Sequence, residues 1–144
     1  MRKDYLKARP EIARHLFAIG RELAAGPIEE DLRELLSVRI SQINGCSFCI
    51  STHIAKAQAA GVSREKLDLL AQAGQLALFS PREKAALRLA EKLTRIEGDH
   101  IGDDEYVALR GDFSEEEFLD LAQLIALMNS WNRLSILYGY QPGD

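Results

Sequence analysis

The tetrapeptide Ser114-Glu115-Glu116-Glu117 stands just ahead of Leu121, Leu124, Ile125 and Met128, apolar residues at i, i+3, i+4 and i+7. A serine that accepts from the third helical amide, with a glutamate at that position reaching back, starts a helix, and the spacing that follows is one helix face. The run therefore opens a long helix toward Tyr138. Ser80-Pro81-Arg82-Glu83 repeats the device with proline at the first helical position and starts a helix to about Thr94,. Alternating β-branched or aromatic runs are nearly absent, while Leu, Ala, Glu, Lys, Arg and Gln dominate,. The expected fold is all-α.

Weaker signals divide the rest. A helix is expected over Tyr5 to Ala24, with Ile12, Leu16 and Ile19 at helical spacing, ended by Gly26-Pro27,. A second covers about Glu29 to Gln42, where Leu32, Leu35, Leu36, Val38 and Ile40 make a broad apolar face, and Asn44-Gly45 supplies a tight turn,. A third runs from about Cys46 to Gly61, and Ser63 caps a fourth over Arg64 to Ala73,. Glu97 to Gly111 reads as a loop-rich connection with one short helix near Asp104 to Leu109. At 144 residues this is one domain over 1–144, and the apolar faces exceed what a small helical unit is expected to bury alone, so a homo-oligomer is expected,.

Charge and cysteine content narrow the function. The net charge is −4 and no basic run gathers the cations, which argues against nucleic-acid or anionic-membrane partners,. The start Met1-Arg2-Lys3-Asp4-Tyr5 lacks the apolar stretch of a secretory signal, so a cytoplasmic location is expected,. Two cysteines three positions apart cannot staple distant loops; they make a local redox pair, half a metal site, or a coincidence of two small buried hydrophobes,.

On one helix, Cys46, Cys49 and His53 project within about 60° of one another. A helix starting at the Asn44-Gly45 turn also puts both sulfurs in its first turn, where free amides and the dipole favour a thiolate. His53, four residues after Cys49, stands close enough to move its proton. A zinc site fits poorly, because three ligands along one helix do not converge tetrahedrally; His15 and His100 are unclustered, so no metal is expected,. Glu34, on the preceding helix, comes back beside His53 in a hairpin closed by Asn44-Gly45 and would orient the imidazole. Near the C-terminus, Asn129-Ser130-Trp131-Asn132-Arg133 interrupts an apolar helix. Trp131 reads as a core anchor with Asn132 and Arg133 pairing to neighbours, or the stretch walls the thiol pocket or a subunit contact.

The pattern of Glu34, Cys46-Ser47-Phe48-Cys49 and His53 resembles the signature of the alkyl hydroperoxidase D-like (AhpD-like) branch of the carboxymuconolactone decarboxylase superfamily. Arg39-Ile40-Ser41-Gln42-Ile43-Asn44-Gly45 and Asn129 to Leu134 also resemble single-domain members. The resemblance implies a helical bundle assembled as trimers, or hexamers built as trimers of dimers. It further implies a CxxC that reduces peroxides and cycles through an intramolecular disulfide, with no bound cofactor and an external dithiol or lipoyl-type donor protein as reductant. Carried over, Cys49 attacks peroxide, the more accessible Cys46 resolves the sulfenic acid and meets the reductant, and His53 with Glu34 relays protons. The family archetype has a second histidine between the cysteines where this chain has Phe48. Two other readings stand beside a peroxidase of antioxidant defence: a lactone decarboxylase, which needs no cysteine pair, and a redox-sensing helical protein without turnover.

Overall fold

In the computed structural model, which describes residues 2–98 and 100–144, Pro10 divides the expected N-terminal helix in two. Proline pushes the residue before it out of the helical region, and Arg9 accordingly sits at φ −141°, ψ 75°, between α1 (Tyr5–Ala8) and α2 (Pro10–Ala25),. Then follow α3 (Glu30–Asn44), α4 (Ser47–Ala59), a short α5 (Arg64–Asp68), a 3₁₀ turn (Leu70–Gln75), α6 (Pro81–Thr94), α7 (Asp103–Arg110) and α8 (Glu115–Tyr138). The described residues contain no strand. Asp99, inside the Glu97 to Gly111 connection, and Met1 lie outside the described residues. The fourth expected helix is shorter than the reading to Ala73, because the chain tightens into the 3₁₀ turn after Leu69.

Helix α3 is the axis of the bundle. It packs against α4, α6 and α8, and Leu32, Leu35, Leu36, Val38 and Ile40 are all at most 3% exposed. A helix buried on so many sides pairs most of its polar side chains internally, with Gln42 Oε1 left unpaired,. The Ser37 hydroxyl donates to the Arg33 carbonyl, and the buried Arg39 guanidinium donates to Glu91 Oε1 of α6 at 2.9 Å. Helix α8 closes the other side with Leu121, Leu124, Ile125 and Met128. Both apolar faces are thus covered within one chain, which corrects the expectation that they need a second copy.

Exposed apolar side chains lie elsewhere. Helix α2 turns Ala13 and Leu23 inward and lies along α8 so closely that a Cβ on Gly20 would stand 3.8 Å from Leu127, while Ile12 and Ile19 face solvent with Phe17.

The α3–α4 corner positions everything chemical. Gly45 adopts φ 69°, ψ 30°; its amide donates to the Gln42 carbonyl, and the Cys46 amide donates to the Ser41 carbonyl. This pair of bonds closes the end of α3, and it holds Cys46 in extended geometry just outside α4,. The same motif recurs at Gly139 (φ 75°), where the amides of Gly139 and Tyr140 donate to the carbonyls of Ile136 and Ser135.

Two consequences for stability are measurable. Apart from the adjoining backbone, nothing lies within 4 Å of a Cβ built on Gly45, so Gly45→Ala adds left-handed backbone strain alone and is expected to cost about 1–2 kcal/mol in urea unfolding,. Gly74→Ala, also unobstructed but without a positive φ, is the near-neutral control. Glu83 caps α6 and receives Lys66 Nζ at 2.8 Å. Burial pushes its carboxyl up, but the bonds from Lys66 and the Ser80 amide outweigh burial and hold it below its ordinary value of 4.5. A lowered folded pKa means stability that is present above the ordinary value and lost as pH falls through the lowered one. The stability advantage of the unmodified protein over Glu83→Gln should therefore shrink as urea midpoints are followed downward from pH 6 through that range.

Candidate active site

Cys46 and Cys49 form a disulfide with Cα atoms 5.3 Å apart. Cys46 stands at the N-cap of α4 rather than on the helix with Cys49 and His53 as their spacing predicts, because its amide is already committed to Ser41. Its Sγ instead accepts from the Cys49 amide at 3.3 Å, the bond that a serine or aspartate makes at other helix starts,. Cys49 occupies the third helical position, and His53 follows one turn later, about 6 Å along the axis,.

Glu34 meets that histidine. Its Oε2 lies 2.6 Å from His53 Nδ1, across the α3–α4 hairpin, and both side chains are about one-sixth exposed. A carboxylate only accepts, so Nδ1 carries the proton and the neutral ring keeps its lone pair on Nε2. The pair is therefore oriented to take a proton from the side away from Glu34.

All these groups except Cys46 border one cleft of about 650 Å³, walled by α2, α3, α4 and α8. Cys49, Thr52, His53 and Glu34 line it beside Phe17, Phe48, Trp131, Tyr5 and Tyr140. Cys46 is 2% exposed and Cys49 4%, and only Cys49 faces the cleft. The expectation that Cys46 is the more accessible sulfur is thereby corrected: the capping bond turns its Sγ inward over the first turn of α4.

The Asn129 to Arg133 stretch does both things considered for it. Asn44 Nδ2 donates to Asn129 Oδ1 and to Asn132 Oδ1, each at 2.9 Å; the fully buried Asn132 returns a bond to Ser41 Oγ at 3.1 Å, and Asn129 reaches Thr94 Oγ1. Arg133 Nη1 holds Asn129 Oδ1 from outside at 2.8 Å. This network ties the Gly45 corner, and with it the disulfide, to α8. Trp131 packs against the edge of the core and also walls the cleft, its ring tilted against Phe17 of α2 with centroids 5.0 Å apart.

The chain ends were not singled out in the sequence, yet they close one side of the cleft. Tyr140 OH donates to Asp4 Oδ1 at 2.6 Å, Arg2 Nη1 donates to the Leu137 carbonyl at 2.9 Å, and Tyr5 OH lies 3.3 Å from Ser135 Oγ. Tyr140 also meets the ring of Phe48, which stands between the cysteines in sequence, edge-on at 5.3 Å. Burial, then the bond to Asp4, push the Tyr140 phenol up, so it is held as a neutral donor. The signal was the clustering of Tyr138, Tyr140 and Tyr5, which carries meaning only once both termini lie together.

His15 and His100 are exposed, and no group of three or more metal-ligating side chains occurs among the described residues. Nor is any helix there long and apolar enough to cross a membrane.

Comparison with known proteins agrees with this architecture. The family model described as "Carboxymuconolactone decarboxylase family" matches residues 10–92. The uncharacterized protein YdfG of Bacillus subtilis is 35% identical over 138 residues, covering 96% of this chain and 94% of its own. A crystal structure from Agrobacterium tumefaciens, of a protein of unknown function proposed as the antioxidant defence protein AhpD, superposes with TM-score 0.92 at 28% identity, over 99% of this chain and 98% of that one. The debrominase Bmp8 shares the fold, with TM-score 0.84 at 22% identity over 95% of this chain and 73% of that one. With its helical bundle and its CxxC pair at a helix start, the chain belongs to the carboxymuconolactone decarboxylase family, as an AhpD-like member.

Proposed function

We propose that the protein is a thiol-dependent hydroperoxidase of antioxidant defence, using the Cys46–Cys49 pair with a His53–Glu34 proton relay. The observation that carries this reading is the convergence of Cys49, His53 and Glu34 on one cleft. The likeness to a protein proposed as AhpD supports it.

From the dithiol state, His53 takes the Cys49 proton and the thiolate attacks one oxygen of the hydroperoxide. The S–O bond forms as the O–O bond breaks, and the alkoxide leaves as alcohol after receiving the proton held on His53. Cys49 is then a sulfenic acid. Cys46 attacks its sulfur, the S–S bond forms, and hydroxide leaves as water with the Cys46 proton. Glu34 touches no reacting atom; it fixes the ring and stabilises the imidazolium.

Reduction of the disulfide follows from which sulfur the cleft presents. An external dithiol attacks Cys49 Sγ, and Cys46 leaves as a thiolate. That thiolate sits where the Cys49 amide and the positive end of α4 receive it,. The second thiol of the donor then releases Cys49, so the donor carries away the disulfide. The cap on Cys46 thus makes it a good leaving group, a role that needs no solvent exposure.

Turnover of cumene hydroperoxide with dithiothreitol should be abolished in Cys49→Ser and in Cys46→Ser, and only Cys46→Ser should accumulate a sulfenic acid that dimedone labels at Cys49. Labelling at Cys46 in the converse variant, with none at Cys49, would reverse the assignment. Removing the base with His53→Gln should lower kcat/KM by about 10²-fold near neutral pH, with recovery as pH rises and the thiol ionises unaided. Glu34→Gln should give a smaller loss and a displaced acid limb of the pH profile, since it acts through His53.

A further inference from the structure

The cleft is sorted by chemistry along its length. Helices α2 and α8 run antiparallel with Phe17 on Trp131, Gly20 on Leu127 and Gly26 on Asp120. Helices α3 and α4 run antiparallel with Glu34 on His53. These two registers divide the lining residues between opposite ends. Tyr5, Phe17, Phe48, Trp131 and Tyr140 collect at the end nearest the disulfide. At the far end stand Arg21 of α2, Arg33 of α3 and Lys56 of α4.

Charge at that far end is positive. Glu34 is occupied by His53, which leaves Glu30 as the one acidic lining residue against three cations. Among the described residues, the side chains of Arg21 and Lys56 make no hydrogen bond or ion pair, and Arg33 uses Nη1 on the Ile28 carbonyl and keeps its other donors. Lys56 follows Cys49 by seven residues, about 10 Å along α4,. A flexible ammonium about two turns of α4 beyond the reactive sulfur, with two guanidiniums lining the same cleft, is placed for the head of a ligand whose apolar body passes Cys49,.

We propose that the cleft selects amphipathic organic carboxylates, with the anionic head on Arg21, Arg33 and Lys56 and an aromatic or aliphatic body lying toward Trp131. This deepens the hydroperoxidase reading and rests on it for the reaction: the preferred substrate class is an acid bearing its hydroperoxide several carbons from the carboxylate. A neutral hydroperoxide of equal bulk fills the same apolar space but leaves the cations solvated.

Trp131 is the only tryptophan in the chain and lies in the cleft wall, so its fluorescence reports binding without turnover. The test titrates the oxidised, unmodified protein with 6-phenylhexanoate and with 6-phenylhexan-1-ol, which share a body and differ in charge. The acid is expected to bind at least tenfold more tightly, with the preference falling as salt rises. The double variant Arg21→Gln, Lys56→Gln, at two exposed positions, should reduce that preference by at least fivefold. Equal binding of acid and alcohol, or a preference that survives in the double variant, overturns the proposal. These ligands contain no peroxide bond, so that failure is separate from a failure of the hydroperoxidase reading, which shows as absence of turnover with every hydroperoxide.

Discussion

The left-handed turn at Gly45 is the constraint on which the site depends. By adopting φ 69° it lets the Cys46 amide close the end of α3, and the same residue must then begin α4 from outside the helix. Three things follow from that one corner. Cys46 Sγ becomes the cap of α4 and lies within bonding distance of Cys49, α4 folds back along α3 so that His53 faces Glu34, and Asn44 points into α8. A β-carbon at position 45 would work against all three through backbone strain alone.

The polar network around Asn44 converts that local corner into a tertiary one. Asn129 and Asn132 would be poor choices on a helix whose neighbouring residues are apolar, were their side chains not paired with Asn44, Ser41 and Thr94. A half-satisfied network of this kind costs more than an apolar one, so the pairing commits α3 and α8 to a single register. The register in turn fixes which residues of α8 reach the cleft: Leu124, Leu127, Met128 and Trp131 line it while Asn132 faces the core.

A cap made by a sulfur has a chemical consequence that a serine cap lacks. The amide of Cys49 and the start of α4 stabilise negative charge on Cys46, and the cleft opens on Cys49,. In the proposed cycle, attack and departure are divided between two sulfurs by their surroundings, although both are almost fully buried. The terminal tyrosines border the same space, so the aromatic character of the cleft near the disulfide comes from both ends of the chain as well as its middle.

Local signals determined the helices and the reacting groups. The capping boxes at Ser80 and Ser114, the Asn44-Gly45 turn and the spacing of Cys46, Cys49, His53 and Glu34 each act within a few residues or across one hairpin, so they are legible in order along the chain. Even there a competing local rule was decisive twice: Pro10 split the first helix, and the commitment of the Cys46 amide removed Cys46 from α4. Tertiary structure decided the rest. The burial of both sulfurs, the choice of Cys49 as the one facing the cleft, and the placing of Trp131, Tyr5 and Tyr140 along its wall depend on contacts across as many as 136 positions. Periodicity states that a helix has an apolar face but not which helix will cover it, because many partners bury the same area. Specific pairings such as Asn44 with Asn132 and Asp4 with Tyr140 distinguish one partner from another, and their bonds form only when the two segments have already met.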